Sequence, residues 1–352
     1  MLKKFVVLIF SCTIIVFLSS CRDNPSDSEL PEIPPDPYGS VPALVKNNLI
    51  PSGSFSTVSG ERRKLNLSGV VINNYPVDLK GTNDAGQNIW IEIDSVNKGA
   101  LVKKVSRGNP LPADVVFCLD VSGSMPSAVV DSLVNTISSF ADILYNYGLD
   151  LQFGGIGYVG DIRGTKNLTG DVANFKNWVR STKFEDPVTE VRFPRYGSSI
   201  LSQNAVTAIK YADSAFSWRN GAQRLYIVMT DAPVSPSSQI NWANEWVVAN
   251  QKGKSSVHVV FIGDTLKYTN LWYPLNLSNQ NPKDIASATG GSFTLFPETA
   301  SGLEISKLPV KNILAASHSI EFLSKSGNKN VRVLLSVSPN YDGQSKYVIN
   351  FP

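Results

Sequence analysis

The sequence predicts an α/β domain with a doubly wound, mostly parallel sheet, inserted in or flanked by an all-β sandwich. Three observations predict it. Two runs of strand length, 115–119 and 225–229, are wholly apolar, as expected of strands buried on both faces. Helical periodicities stand between such runs, so the crossovers are right-handed and helices cover both faces of the sheet. At both ends of the chain the texture changes to short alternating runs broken by turn residues, the pattern of half-buried strands.

The chain has 352 residues, room for two domains, and its 42% hydrophobic content is that of a globular protein able to bury a core without staples. Lys3 and Lys4 precede an apolar run, 5–18, too short to be a comfortable permanent span. The run ends in Leu18, Ser19, Ser20 and Cys21, which resembles the lipobox of bacterial lipoproteins. That resemblance implies a signal peptide over 1–20, a lipidated Cys21, and a place in the bacterial cell envelope, anchored by lipid to the outer membrane or cell surface. Cys12 then leaves with the leader, and Cys118 is the one thiol left in the folded part, so no disulfide forms within it. Residues 21–51 carry Pro25, Pro31, Pro34, Pro35 and Pro37 and read as a semi-extended tether.

In the next segment, 52–110, strands are expected at 64–72, 89–93 and 100–105, and in the last, 318–352, at 319–323, 331–337 and 347–351. Few-stranded pieces need a partner face. One sandwich assembled from both ends, with 111–317 inserted between them, supplies it; two separate β appendages are the alternative. Within 111–317 the chain alternates as strand 115–119, helix 128–147, strand 150–159, helices 171–181 and 199–216, and strand 225–229. Helix 240–249, strand 257–262, helix 282–289, strand 292–296 and helix 303–316 follow.

The strand 115–119 breaks into Asp120, Val121, Ser122, Gly123 and Ser124, a turn expected to be reached by solvent, with Pro126 at the start of the following helix. Ligands of open α/β sheets bind at such strand ends, and alternate hard oxygens suit a small hard cation. This Asp-x-Ser-x-Ser stretch resembles the metal-ion-dependent adhesion site of von Willebrand factor A (vWA) domains, and the likeness runs from about residue 114 to about 317. It implies a vWA fold, a Mg²⁺ site (Mn²⁺ and Ca²⁺ being alternatives), and binding of a protein ligand through one of its exposed carboxylates. Asp231, at the end of 225–229, matches the aspartate that completes the family's site. The third loop departs from the family: Ser198 is the preferred hydroxyl, with Ser199 and Gln203 as alternatives. The adjacent calcium site of integrin β subunits is not expected, because Ser127 and Ala128 stand where its acidic pair would be. Integrin β subunits also carry their metal-binding domain inserted in a β-sandwich. Arg192, Arg195, Tyr196, Trp272 and Tyr273 are the candidate rim for the ligand, being of the types favoured in binding hot spots.

Other readings are weaker. Gly155 to Gly160 spells Gly-x-Gly-x-x-Gly, but a polar, glycine-broken stretch follows in place of the helix a dinucleotide site requires; the glycines instead make room for packing. His258 and His318 are the only histidines, and no nucleophile-elbow motif accompanies them. An enzyme is therefore not expected; a metal-independent envelope scaffold is the first alternative function and a hydrolase a remote one. The net charge of +3 without a basic tract excludes nucleic acid as a partner. Oligomeric state is not legible. If Cys21 carries lipid, Cys21→Ser abolishes metabolic palmitate labelling and releases the protein or leaves it unprocessed; labelling that survives the change removes the lipoprotein reading.

Overall fold

The computed structural model describes residues 30–73, 75–104, 111–122, 124–125, 127–146, 149–159, 161–180, 204–235, 243–263, 280–297 and 310–352. Residues Ile33–Pro352 form one compact unit. Cys21 and the expected signal peptide lie outside the described residues.

The first part contributes β1 (Gly53–Ser59), β2 (Arg62–Leu67), the short pair β3 (Val71–Ile72) and β4 (Tyr75–Pro76), then β5 (Ile89–Ile93), β6 (Val96–Lys98) and β7 (Leu101–Lys104). The central part runs β8 (Ala113–Asp120), α1 (Ser127–Asn146), β9 (Leu151–Tyr158), β10 (Ile162–Thr169), α2 (Val172–Arg180) and α3 (Ala205–Ala215). It continues with β11 (Gln223–Thr230), α4 (Asn244–Gln251), β12 (Ser255–Ile262), α5 (Pro282–Thr289), β13 (Phe293–Phe296) and α6 (Val310–Ala315). The chain closes with β14 (His318–Leu323), β15 (Gly327–Ser338) and β16 (Tyr341–Phe351).

The central sheet has the order β10-β9-β8-β11-β12-β13. All its pairings are parallel except the hairpin of β9 with β10. Every residue of β8 is buried, because side chains pointing to either face meet helices. One layer sets Val115, Phe117 and Leu119 against Leu133, Ile137 and Phe140 of α1 and Phe175 of α2. The other sets Val116 and Cys118 against Val206, Ile209 and Ala212 of α3. Burial raises the Cys118 thiol pKa far above its ordinary value, so it is a packed hydrophobe in its protonated form.

The two chain ends build the sandwich together. One sheet has the order β1-β2-β14-β7, so the C-terminal strand β14 lies between two N-terminal ones. The other has the order β16-β15-β5-β6. Their inner faces share one core, with Leu65, Leu67, Ile320 and Phe322 meeting Ile89, Ile91, Val331, Val333 and Phe351. The α/β domain is thus inserted in an all-β sandwich, one of the two arrangements that the sequence texture leaves open.

Several local expectations shift. The strand expected over 64–72 stops at Leu67, since Ser68 and Gly69 leave the ladder and the backbone N–H groups of both bond elsewhere, to Ser52 and Ile313. Strand β1 lies outside the expected strands: its Ser- and Thr-rich sequence carries little hydrophobic signal, and pairing with β2 makes it a strand. Strand β10 explains the polar stretch after the glycine motif. It is an edge strand, antiparallel to β9, and needs no buried face.

Part of the segment expected as a tether is bound. Asp36 accepts from the Gly99 backbone N–H at 3.0 Å and pairs with Lys98. At the other edge of the same sheet, Asp342 accepts the consecutive N–H groups of Val45, Lys46 and Asn47. Residues 36–45 therefore cross from one edge strand to the other. Leu334, whose neighbours Val333 and Leu335 point into the sandwich core, is nevertheless 0% exposed, as a residue facing a covered outer surface should be.

The glycines of β9 are packing devices. A Cβ on Gly155 would lie 2.0 Å from the Trp178 ring of α2, and one on Gly154 would lie 2.9 Å from the Phe216 ring after α3. Both aromatic rings lie against the strand where side chains would otherwise be. Gly155→Ala is expected to destabilise the protein by about 1–3 kcal/mol through overpacking; chemical denaturation followed by tryptophan fluorescence measures it.

Candidate metal centre

Parallel pairing places the ends of β8 and β11 side by side, with Leu119 opposite Met229. The next residue on each strand is Asp120 and Thr230, and the turns beyond them carry Ser122, Ser124 and Asp231. Four of the five expected metal-binding residues are brought together in this way. The fifth, Ser198, lies outside the described residues with its alternatives Ser199 and Gln203. The expected rim residues Arg192, Arg195, Tyr196, Trp272 and Tyr273 lie outside them too.

A chain of hydrogen bonds joins the set. The Ser124 hydroxyl donates to Asp231 Oδ1 at 3.0 Å. A hydroxyl has one proton, so in the 2.8 Å contact between Ser122 and Ser124 the donor is Ser122. Asp120 is held from two sides: its Oδ1 accepts from the Ser122 backbone N–H at 2.9 Å and its Oδ2 from the Thr230 hydroxyl at 2.7 Å. Thr230 in turn accepts from the Ala232 backbone N–H at 3.1 Å, which locks the turn between the carboxylates.

Asp120 is not in a solvent-reached turn. It is the last residue of β8 and 0% exposed. The ladder continues one step past it, with the Val121 N–H donating to the Tyr158 carbonyl, so the strand carries Asp120 inward before the chain turns. Ser124 is the exposed member of the group, and the site opens on its side.

Burial dominates the electrostatics. It pushes the Asp120 carboxyl up to about 7, and repulsion from Asp231 adds to it, against the donors Ser122 and Thr230. Burial also raises Asp231, opposed by the Ser124 hydrogen bond. Among the described residues no lysine, arginine or histidine is ion-paired with either carboxylate. No cluster of three or more His, Cys, Asp or Glu side chains there is arranged to hold a metal, so the candidate set is two carboxylates and the hydroxyls. Such a set supplies hard oxygens only, and two buried carboxylates short of positive charge are suited to a divalent cation. The residues present fit one.

Two participants carry no distinguishing signal in the sequence. Thr230 stands between Met229 and Asp231 and looked like the last residue of a strand; only the strand register turns its hydroxyl to Asp120. Tyr158 resembled any strand aromatic, yet it is the register partner of Asp120. The two histidines stay outside the site. His258 is buried mid-strand between the hydroxyls of Ser256 and Ser292, and burial lowers its pKa to about 4. His318 opens β14, where its Nε2 accepts from the Leu79 N–H.

The raised carboxyls have a consequence for the metal-free protein. A carboxyl at about 7 when folded and near 3.8 when unfolded binds more protons in the folded state between those values. In chelator, stability is therefore greatest at low pH within that window and falls as pH rises through about 7. Thermal unfolding from pH 5 to 8 should show this loss, and Asp120→Asn should flatten it.

Among solved structures, the chain is similar to the conserved hypothetical protein BatB from Bacteroides thetaiotaomicron, at 20% identity over 57% of this chain and 98% of that one, with a TM-score of 0.40. It is similar to proximal thread matrix protein 1 from the mussel byssus with a zinc-occupied MIDAS motif, at 14% identity over 62% and 49%, TM-score 0.42. It is also similar to the manganese-loaded TRAP protein of Plasmodium vivax, at 13% identity over 72% and 98%, TM-score 0.38. At such values these likenesses carry nothing about what this chain binds. No curated protein matches it. The family model of the von Willebrand factor type A domain matches residues 114–301, from the second residue of β8 to beyond β13 and across both aspartates. That is more than half of the sequence, and the chain belongs to the von Willebrand factor type A domain family.

Proposed function

We propose that this protein is a lipid-anchored component of a bacterial cell envelope that binds a protein ligand through a divalent cation, Mg²⁺ by preference. The observation that carries the proposal is the meeting of Asp120 and Asp231, from separate strands, across the Ser122 and Ser124 hydroxyls. Asp120, Ser122, Ser124 and Asp231 would hold the ion, with Ser198 from the third loop. A bound Mg²⁺ supplies a Lewis-acidic position open to an oxygen anion.

The chain's own groups set the strength of that position. Ser122 and Ser124 contribute lone pairs without charge, so they position the ion and neutralise none of it. The Ser122 N–H and the Thr230 hydroxyl draw on the charge of Asp120, which leaves the ion the more electrophilic. An exposed carboxylate of the ligand is then the complement the site lacks. The proposal contains no chemical step, and the protein is not read as an enzyme. Anchoring rests on the sequence around Cys21; among the described residues no helix is long and apolar enough to cross a membrane.

A metal-independent scaffold is the second reading. It is favoured by the hydrogen bonds that join Ser122, Ser124 and Asp231 within the chain itself. Titration calorimetry with Mg²⁺ separates the two readings. Because Asp120 is buried, Asp120→Asn is the informative change: it removes the charge and keeps the volume. It should weaken Mg²⁺ binding by about 100-fold or more, and Asp231→Asn similarly. Ser124→Ala should cost about tenfold, since water can replace a neutral ligand. Capture of the partner should stop in chelator. Ser198→Ala tests the third loop, with an unchanged affinity pointing to Ser199 or Gln203. If Asp120→Asn binds Mg²⁺ as the parent does, the scaffold reading replaces the adhesion site.

A further inference from the structure

Tyr158 is a fully buried phenol whose hydroxyl meets no hydrogen-bond partner among the described residues. It is the register partner of Asp120 on the neighbouring parallel strand, so both side chains leave the sheet on the same face. Thr230 lies on the strand at the other side of Asp120, one step beyond the pair Leu119 and Met229. Three polar side chains thus stand in a row across β9, β8 and β11, with the carboxylate in the middle. Burial pushes the Tyr158 phenol up, the charge of Asp120 adds to that, and the nearby Thr230 hydroxyl opposes it.

The proton count fixes the direction of any relay among them. Thr230 sends its one proton to Asp120 Oδ2, at 2.7 Å, in preference to the Ala232 carbonyl at 3.3 Å. Its oxygen already accepts the Ala232 N–H and has a second lone pair. Tyr158 has a proton to give and, among the described residues, no acceptor within hydrogen-bond distance. Leaving such a donor buried and unmet is costly, and a phenylalanine would fill the same space without that cost.

We propose that Tyr158 is a positioning residue of the metal site, donating to Thr230 so that Thr230 in turn donates to Asp120. The relay fixes the Thr230 hydroxyl, directs its proton to the carboxylate and holds Asp120 in the orientation required for the cation. It also separates the two flanks of Asp120: Oδ2 is held by the side-chain relay and Oδ1 by the Ser122 backbone. This inference rests on the proposed metal site and adds a residue that touches neither ion nor ligand.

The test is a double-mutant cycle on the full chain, read by Mn²⁺ binding in electron paramagnetic resonance titrations. Tyr158→Phe should weaken Mn²⁺ affinity about fivefold and Thr230→Val about tenfold or more. The double variant should be no weaker than Thr230→Val alone, because groups in one relay do not add. Parent affinity in Tyr158→Phe, or additive losses in the double variant, overturns the relay. The same cycle run in chelator, on the midpoint of thermal unfolding, keeps the relay apart from the metal reading. There the effect of Tyr158→Phe should vanish in the Thr230→Val background. If the parent binds no Mn²⁺, the metal reading fails, and the unfolding cycle alone upholds or overturns the relay.

Discussion

Strand β8 is buried along its whole length and hydrogen-bonded to parallel strands on both edges. A backbone in that position has every N–H and C=O engaged by its neighbours and none by water, so its register is fixed by the whole sheet. The strand ends in a carboxylate. Whatever positions β8 therefore positions Asp120, and the two faces of the sheet, closed by α1 and α2 on one side and α3 on the other, hold the charge in a place that loops alone would not define. The glycines of β9 belong to the same arrangement. By giving up their side chains to Trp178 and Phe216 they let helices close on the sheet beside the site.

The site sits at odds with this packing, since burial disfavours ionised Asp120 and Asp231. Two backbone or hydroxyl donors offset part of that cost at Asp120, and one hydroxyl does so at Asp231. Repulsion of this kind is what a cation relieves, so in the proposed metal site the carboxylates that weaken the metal-free fold would also favour loading.

The sandwich gives the inserted domain a base from both chain ends. β14 is paired to β2 and β7, and on it Glu321 accepts from Arg62 and Lys103. Asn66 of β2 donates to the Gly221 carbonyl just before β11. The sandwich and the strand that carries Thr230 are thereby joined through a buried amide. On the other sheet, the Asp36 and Asp342 contacts bind part of the Pro-rich segment to the domain it precedes.

The α/β class, a sandwich texture at both chain ends, and the placing of Asp120, Ser122, Ser124 and Asp231 at strand ends are legible in the sequence. These are local properties: an unbroken apolar run means a strand covered on both faces, and a polar turn after it means a strand end. Legible too is the lack, after the glycine motif of β9, of the helix a nucleotide site needs. Tertiary packing alone sets β14 between β2 and β7, makes β10 a strand and encloses the Asp120 carboxylate. Each of these depends on a partner distant in sequence, which periodicity does not record. The roles of Thr230 and Tyr158 are of the same kind. A threonine and a tyrosine at strand ends look alike in many sequences, and register alone sets one on each side of a buried carboxylate.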